Sequence, residues 1–180
     1  ARKYEETMER GISEAERPAF HLCPRVGWMH DPNGVSYYKG EYHLFYQYYP
    51  YDSIWGPMHW RHAVSKDLLH WSYLPAALAA DTAYDKDGCF SGSALELPDG
   101  RHLLMYTGVV KEPRIEGGYR DIQTQCIAVG DGRDYEKYPQ NPVLDAGDLP
   151  EGGSKSDFRD PRIWAEADGS YRCVVGNCTQ

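Results

Sequence analysis

The stretch DPNGVSYYKGEYHLFYQY, residues 31–48, predicts two strands folded about a turn. Val35–Tyr38 and Tyr42–Tyr48 are rich in tyrosine and other residues that favour strands. They flank Lys39-Gly40-Glu41, and two such runs joined by a short segment containing glycine predict a β-hairpin.

The same pattern recurs along the chain, which places the protein in the all-β class. Four further pairs of strand-like runs flank short turns: Arg61–Val64 with His70–Tyr73, Ser93–Leu97 with His102–Thr107, Gln123–Val129 with Asp134–Lys137, and Arg162–Glu166 with Tyr171–Val175. No helical period is sustained after residue 20. Residues 1–17 alternate charged with small residues, so we expect residues 1–19 to form a short exposed helix or a tail ahead of one domain in residues 20–180.

A weak internal repeat organises the hairpins. A polar residue lies nine positions before each of three turn glycines: Asp31 before Gly40, Ser91 before Gly100, and Asp160 before Gly169. The spacings, 60 residues (31 to 91) and 69 residues (91 to 160), leave room for four strands per repeat. Four strands per repeat are typical of a β-propeller blade, whereas chance alignment of hairpins in an all-β protein is the alternative.

In a propeller, the innermost strand of each blade runs beside the central channel. Equivalent positions at the starts of these strands therefore meet at one mouth of the channel, and we expect Asp31, Ser91 and Asp160 to converge there. The sequence supplies about two and a half blades, fewer than the 4–8 of known propellers. We therefore expect a fragment of a longer protein, or a chain that needs a partner to close it.

Charge and cysteine content argue against several classes of partner. The formal net charge is −8, and no Lys/Arg-rich run is present, so nucleic acid and anionic membranes are poor candidates. No apolar run approaches the ~20 residues of a membrane span. The five cysteines are odd in number and lack tight spacing, which favours reduced thiols and a cytoplasmic location, and no signal peptide is visible.

The segment GWMHDPNG, residues 27–34, is the first candidate for chemistry. Asp31 precedes Pro32, so we expect its backbone to be extended, and Asn33-Gly34 predicts a turn. A carboxylate on such a turn beside Trp28 could act as a nucleophile. The alternative is an Asx-type turn in which Asp31 only caps backbone donors.

Two later segments carry related features. In Phe90-Ser91-Gly92-Ser93, small hydroxyl residues beside a glycine let a ligand approach the backbone, although the segment could simply start a strand. Phe158-Arg159-Asp160-Pro161 repeats the Asp-Pro arrangement and adds an arginine. We expect Arg159 to lower the pKa of a neighbouring carboxylate and keep it ionised, unless it forms only a surface salt bridge.

The sequence predicts no metal or cofactor site. His59 and His62 lack an acidic or cysteine companion at ligand spacing. The chain contains neither a Gly-rich phosphate loop nor the Gly-x-Ser-x-Gly elbow of serine hydrolases.

Taken together, these segments resemble the invertase and β-fructofuranosidase family, glycoside hydrolase family 32. Trp28–Gly34 matches the family's Trp-Met-Asn-Asp-Pro-Asn-Gly signature, with His30 in place of the first Asn. Other matching segments, in the family's order and spacing, are Gly40–Tyr48, Trp60–Asp67, Phe90–Ala94, Tyr106–Gly108 and Arg159–Pro161. The resemblance covers the chain from about residue 20 onward.

The resemblance implies a five-bladed β-propeller followed by a β-sandwich. It further implies that Asp31 is the nucleophile and that Asp160 stabilises the transition state. The implied substrate-binding residues are His30, Asn33, Gln47, Trp55, Phe90, Ser91 and Arg159. The family's acid/base glutamate lies in a Glu-Cys motif, and no Glu-Cys pair occurs in the 180 residues.

The expected activity is the cleavage of terminal β-D-fructofuranosides, such as sucrose, sucrose 6-phosphate or fructans, with retention and without a cofactor. A fructosyltransferase would use the same nucleophile, and the sequence leaves this alternative open. Two others are a non-catalytic sugar-binding propeller and an arabinan-type five-bladed glycosidase that inverts configuration. The Trp-Met-x-Asp-Pro-Asn-Gly and Phe-Ser-Gly-Ser segments favour fructosides over arabinans.

Overall fold

The computed structural model describes residues 1–179 and is built mainly of antiparallel strands. The chain begins with one short helix, α1 (Arg2–Met8), and single 3₁₀ turns at Glu9–Gly11 and Glu14–Glu16. A further 3₁₀ turn lies at Ala146–Asp148. None of the helices in this part of the chain is long and apolar enough to cross a membrane.

Strands pair with their neighbours in sequence to form two complete four-stranded sheets and a hairpin. Blade 1 contains β1 (Trp28–Tyr38), β2 (Glu41–Tyr49), β3 (His59–Ser65) and β4 (Trp71–Leu78). Blade 2 contains β5 (Gly88–Glu96), β6 (His102–Pro113), β7 (Tyr119–Gly130) and β8 (Tyr135–Lys137). The hairpin is β9 (Arg159–Ala165) with β10 (Tyr171–Gly176). The five predicted hairpins and the four-stranded repeat are therefore confirmed.

A bulge interrupts the first strand of each unit at the same position. The register of β1 with β2 skips Asp31, and that of β5 with β6 skips Ser91. The register of β9 with β10 breaks across Asp160 and Pro161. The three repeat residues thus lie inside strands as bulge residues, whereas the strands predicted from the sequence, such as Val35–Tyr38, begin after them. A bulge re-aims a side chain, so the same device can turn each residue toward the same side of the sheet.

The backbone of Asp31 is left-handed, with φ of 34°, and Asp160 repeats this conformation with φ of 60°. The expectation of an extended backbone before Pro32 was therefore wrong. The bulge sets the local conformation here, and it prevails over the general preference of residues that precede proline.

The main hydrophobic core lies between blades 1 and 2. Trp60 of blade 1 and Tyr106 of blade 2 are both fully buried, with ring centroids 6.3 Å apart. The Trp60 indole N–H donates to the carbonyl of Phe90 (3.0 Å), and the amide of Cys89 donates to the carbonyl of Met58 (2.8 Å). These bonds fix the start of β5 against blade 1.

The N-terminal segment is attached to blade 1 through a buried ion pair. Glu5 on α1 is only 3% exposed and contacts Arg61 on β3, which is itself buried beside Tyr46 and Tyr48. The helix that was expected at this end is present, but it is not simply exposed. Its one buried carboxylate has a charged partner, as a buried charge requires.

Candidate active site

The starts of β1, β5 and β9 border one pocket of about 250 Å³. Its lining consists of His30, Asp31, Gln47, Trp55, Met58, Phe90, Ser91, Arg159 and Asp160. The structure thus brings Asp31, Ser91 and Asp160 together, as the sequence repeat predicts. Among these lining residues, only Met58 was not predicted from the sequence, because nothing marks an isolated methionine as part of a site.

Asn33 is the one candidate that the structure places outside this pocket. Its side chain is buried, and its Nδ2 donates to the backbone carbonyl of Asp31 at 3.2 Å. It therefore supports the backbone of Asp31 and does not line the cavity. The next residue must be small, because a Cβ on Gly34 would lie 2.8 Å from the ring of Phe45.

The carboxylate of Asp31 is open to the pocket. Its side chain is 72% exposed, and its Oδ2 lies 3.3 Å from Nδ1 of His30. No hydrogen bond from residues 1–179 reaches either carboxylate oxygen, so Asp31 does not act as an Asx-type cap. An exposed carboxylate on a fixed backbone has the freedom that a nucleophile needs.

Asp160 is held by a buried polar chain that the sequence analysis missed. Its backbone N–H donates to Oγ1 of Thr107 (3.1 Å), and this hydroxyl donates to Oε1 of Gln125 (2.9 Å). The Gln125 amide in turn donates to the carbonyl of Phe158 (2.7 Å). Thr107 lies in a segment that matches the family, but the partnership with Gln125 is tertiary and leaves no sequence pattern.

A second contact from blade 2 holds the residue after Asp160. The buried hydroxyl of Ser93 donates to the carbonyl of Pro161 (2.8 Å) and accepts from the amide of Ile163 (3.0 Å). Blade 2 therefore fixes β9 on both sides of its bulge.

The electrostatics of Asp160 differ from the expectation. Burial raises the pKa of its carboxyl above the usual value, Arg159 opposes this rise, and the nearby charge of Asp31 adds to it. The Arg159 guanidinium lies 3.8 Å from Asp160 but 3.0 Å from Asp157, so its charge is shared. Arg159 thus acts in the expected direction, but desolvation outweighs it.

Aromatic side chains form one wall of the pocket. Trp55 is partly exposed and meets the ring of Phe90 edge to face, with centroids 6.0 Å apart. The Lys111 ammonium lies 5.6 Å from the Trp55 ring. Behind this wall, a Cβ on Gly92 would lie 1.9 Å from the carbonyl oxygen of Met105, so glycine is required beside the Ser91 bulge.

Gln47 links the pocket to the blade interface. Its amide is buried and donates to the carbonyl of Cys89 at 3.1 Å, and its backbone pairs with that of His30. A fixed amide of this kind can present a defined acceptor to a ligand.

Larger cavities lie elsewhere but lack this combination. One, of about 640 Å³, lies between the N-terminus and blade edges, where Asp81 is paired with Lys137. Another, of about 630 Å³, lies under the β6–β7 hairpin. Arg120 in its lining pairs with Glu112, which is not part of the lining. The smaller pocket is the better candidate because two carboxylates from equivalent bulges meet there beside exposed aromatic rings.

The described residues offer no ready metal site. Within residues 1–179, no three His, Cys, Asp or Glu side chains are grouped so as to hold a metal ion. His59 contacts the carbonyl of Pro57, and His62 contacts His43, so these two histidines have separate partners.

A pair of carboxylates beside aromatic faces suits chemistry on a sugar. An open carboxylate can attack an anomeric carbon, and a second can accept hydrogen bonds from sugar hydroxyls. The pocket is slightly smaller than the usual 300–1,000 Å³ of drug-sized ligand sites, which suits one sugar ring.

Sequence comparison gives one family and several similar proteins. The family model described as the glycosyl hydrolases family 32 N-terminal domain matches residues 21–180. A sucrose-6-phosphate hydrolase of Zymomonas mobilis subsp. mobilis is 45% identical over 167 residues, which cover 92% of this chain and 31% of that protein. Acid beta-fructofuranosidase 1, vacuolar, of a Rosa hybrid cultivar is 46% identical over 169 residues, which cover 90% and 27%. The chain spans less than a third of the length of these two relatives.

Solved structures that are similar to this chain include enzymes that cleave fructosides. A GH32 beta-fructofuranosidase of Bombyx mori superimposes with a TM-score of 0.82 and 43% identity, over 97% of this chain and 35% of that one. Fructan 1-exohydrolase IIa of Cichorium intybus superimposes with a TM-score of 0.76 and 36% identity, over 93% and 31%.

Proposed function

The chain belongs to glycosyl hydrolase family 32, whose N-terminal domain is a five-bladed β-propeller, and on this premise we propose that the complete protein hydrolyses terminal β-D-fructofuranosides with retention of configuration. The observation that carries the proposal is the meeting of Asp31 and Asp160, from equivalent bulges of different blades, in one aromatic-walled pocket.

In this proposal, Asp31 is the nucleophile. One of its oxygens attacks C2 of the fructosyl unit as the bond from C2 to the leaving oxygen breaks. The leaving oxygen takes a proton from a general acid, and a fructosyl-enzyme ester forms. Water, deprotonated by the same acid/base group, then attacks C2, which releases fructose and restores the carboxylate. In retaining glycosidases, the carboxyl groups of the nucleophile and of the acid/base residue lie about 5–5.5 Å apart.

Asp160 acts on the sugar and not on the bond that breaks. It lines the same pocket as Asp31, where it can accept hydrogen bonds from ring hydroxyls, and these bonds strengthen as the ring gains positive charge. The partly exposed face of Trp55 can pack against the apolar face of the substrate beyond the fructosyl unit.

The proton donor is not assigned to this chain. The family's Glu-Cys motif has no counterpart among the 180 residues. Glu166, the first glutamate after Asp160, accepts from the Trp164 indole and pairs with Arg172 (3.0 Å), and it does not line the pocket.

Similar proteins support the substrate class. One is named a sucrose-6-phosphate hydrolase, and solved relatives have been captured with sucrose and with 1-kestose. All three compounds carry a terminal fructofuranosyl unit, which is the part that a pocket of about 250 Å³ would hold.

The test is product analysis with the complete protein. We expect fructose and glucose to be released in equal amounts from dilute sucrose, with β-fructofuranose as the first anomer seen by NMR. Sucrose 6-phosphate and an inulin-type fructan are assayed in parallel, with arabinan as the control that should not be cleaved. At high sucrose, release of glucose without an equal amount of free fructose would indicate that the fructosyl unit is transferred to another sugar. Binding of sucrose without release of either product would indicate a sugar-binding module.

A further inference from the structure

His30 is the residue at which this chain departs from its family's signature, and it also adjoins the proposed nucleophile. Among residues 1–179, its Nδ1 is the one Lys, Arg or His nitrogen within 4 Å of the Asp31 carboxylate, at 3.3 Å from Oδ2. The two side chains differ in exposure, 28% for His30 and 72% for Asp31. A largely covered side chain thus adjoins an open one.

The surroundings of the imidazole determine which nitrogen carries its proton. Nε2 is buried and has no hydrogen-bond partner among the described residues, and the nearest aromatic ring is that of Trp28, 6.2 Å away edge to face. A proton on Nε2 would be a buried donor without an acceptor, which costs free energy. A proton on Nδ1 would lie beside a carboxylate, 3.3 Å from Oδ2 of Asp31, so this tautomer is favoured.

Backbone geometry keeps the ring in place. His30 pairs with Gln47 across the β1–β2 ladder immediately before the bulge, and the Gln47 side chain is anchored to blade 2. Asp31, in contrast, is the unpaired bulge residue. The ladder therefore fixes the backbone of His30, whereas the Asp31 carboxylate accepts no hydrogen bond from residues 1–179 and has His30 as its nearest ionisable contact.

We propose that His30 is a positioning residue for the nucleophile: its Nδ1, which lies 3.3 Å from Oδ2 of Asp31, donates a hydrogen bond to this oxygen when substrate is bound, so that Oδ1 is directed at the anomeric carbon. This inference rests on the proposed function and adds to it a role for the position where the family has Asn. It explains how that exchange keeps the site usable. The Nδ2 of Asn is separated from Cβ by the same number of bonds as the Nδ1 of His, so both can donate at the same point.

Substitution of His30 by Asn or by Gln distinguishes the roles of its two ring nitrogens. Asn places a donor at the Nδ1 position, whereas Gln places its amide near the Nε2 position and leaves Nδ1 empty. We therefore compare His30→Asn and His30→Gln in the complete protein, with sucrose as substrate. His21→Gln serves as the matched control, because His21 is an exposed histidine outside the pocket.

We expect His30→Gln to lower kcat by about 10–100-fold with a smaller change in KM, because misplacement of a reacting group by ~1 Å costs about 10²-fold. His30→Asn should recover most of kcat, to within about fivefold of the wild type. His21→Gln should match the wild type. Kinetics are measured well below the Tm of each variant, so that unfolding does not contribute.

Three results would overturn the inference. These are wild-type kcat in His30→Gln, a larger loss of kcat in His30→Asn than in His30→Gln, and equal losses in both variants at unchanged Tm. None of them affects the proposed function, which the wild-type protein tests alone. Absence of sucrose cleavage by the wild type would remove both.

Discussion

At the scale of single residues, the two aspartates share an uncommon backbone conformation. Asp31 and Asp160 both have positive φ, at 34° and 60°, and both precede a proline. Among residues with a side chain, Asp and Asn adopt this region most readily, although it still carries strain. The strain recurs at the two positions where the mechanism needs a carboxylate, which accords with the placement of strain at functional sites.

Asp160→Asn tests the role of the second carboxylate. Asn tolerates the same φ, so the substitution removes charge without disturbing the bulge. We expect kcat for sucrose to fall by about 10²–10³-fold and KM to change by less than about fivefold, because the lost interaction is made mainly in the transition state.

The matched control for that experiment is Asp168→Asn at the exposed β9–β10 turn, which should leave both constants unchanged. A variant of Asp160 in which only KM rises would show that this residue binds the ground state, contrary to its assigned role.

At the scale of strands, blade 2 positions the first strand of the next blade. Thr107 on β6 accepts from the backbone amide of Asp160 and donates to Gln125 on β7. Thr107 and Gln125 both lie in the middle strands of blade 2. Ser93 bonds to the other side of the β9 bulge. The orientation of Asp160 is therefore a property of the contact between sheets and not of its own strand.

Thr107→Val tests this contact, because valine has nearly the shape of threonine but lacks the hydroxyl. The substitution leaves the buried Oε1 of Gln125 without its donor, so we expect a loss of about 1–3 kcal/mol of stability. Asp160 loses its backbone anchor, so kcat should also fall by about tenfold or more. Thr124→Val, a neighbouring threonine without these bonds, is the control. Unchanged kcat in Thr107→Val would mean that the anchor is dispensable.

A buried histidine cluster joins the same two blades. The cluster consists of His43 and His62 of blade 1, with nitrogens 2.9 Å apart, and His102 of blade 2, which contacts Tyr135 and Ser36. Burial lowers the pKa of all three, that of His62 well below the usual range and that of His102 to about 3. The folded protein therefore binds fewer protons than the unfolded chain in mild acid.

This difference predicts acid sensitivity with a defined sign. The stability that depends on these neutral histidines is fully present above their ordinary pKa of about 6.5 and is lost progressively as the pH falls from there toward 3. Each histidine contributes up to about 1.4 kcal/mol per pH unit in this window. The Tm of the complete protein should thus fall steeply below pH 6, and less steeply in His102→Gln, which has one titrating group fewer. Parallel curves for both proteins would contradict the assignment.

At the scale of the whole molecule, the sequence predicted whatever depends on local pattern. The turn at Lys39-Gly40-Glu41 and its repeats give the hairpins, and the nine-residue spacing of Asp31 from Gly40 gives the convergence on one pocket. These features follow from the period of a strand and the chemistry of a turn, which a sequence displays directly.

The remaining features depend on contacts between units, which local pattern does not encode. The bulge that gives Asp31 a positive φ overrides the preference imposed by Pro32, and it is set by pairing with β2. The burial of Glu5 requires Arg61 from a distant strand. The withdrawal of Asn33 from the pocket follows from its bond to the backbone of Asp31. Each of these depends on a partner in another strand or on the exact course of the chain.

In the proposed mechanism, Asp31 forms a covalent bond to the fructosyl unit. The most direct measurement is to quench the complete protein in acid during turnover of saturating sucrose, digest it, and locate the added mass of one fructosyl unit by peptide mass spectrometry. We expect Asp31 to carry the group and Asp31→Asn, which tolerates the same backbone conformation, to carry none. A fructosyl group on Asp160 or any other side chain, or equal labelling of the Asp31→Asn protein, would contradict it.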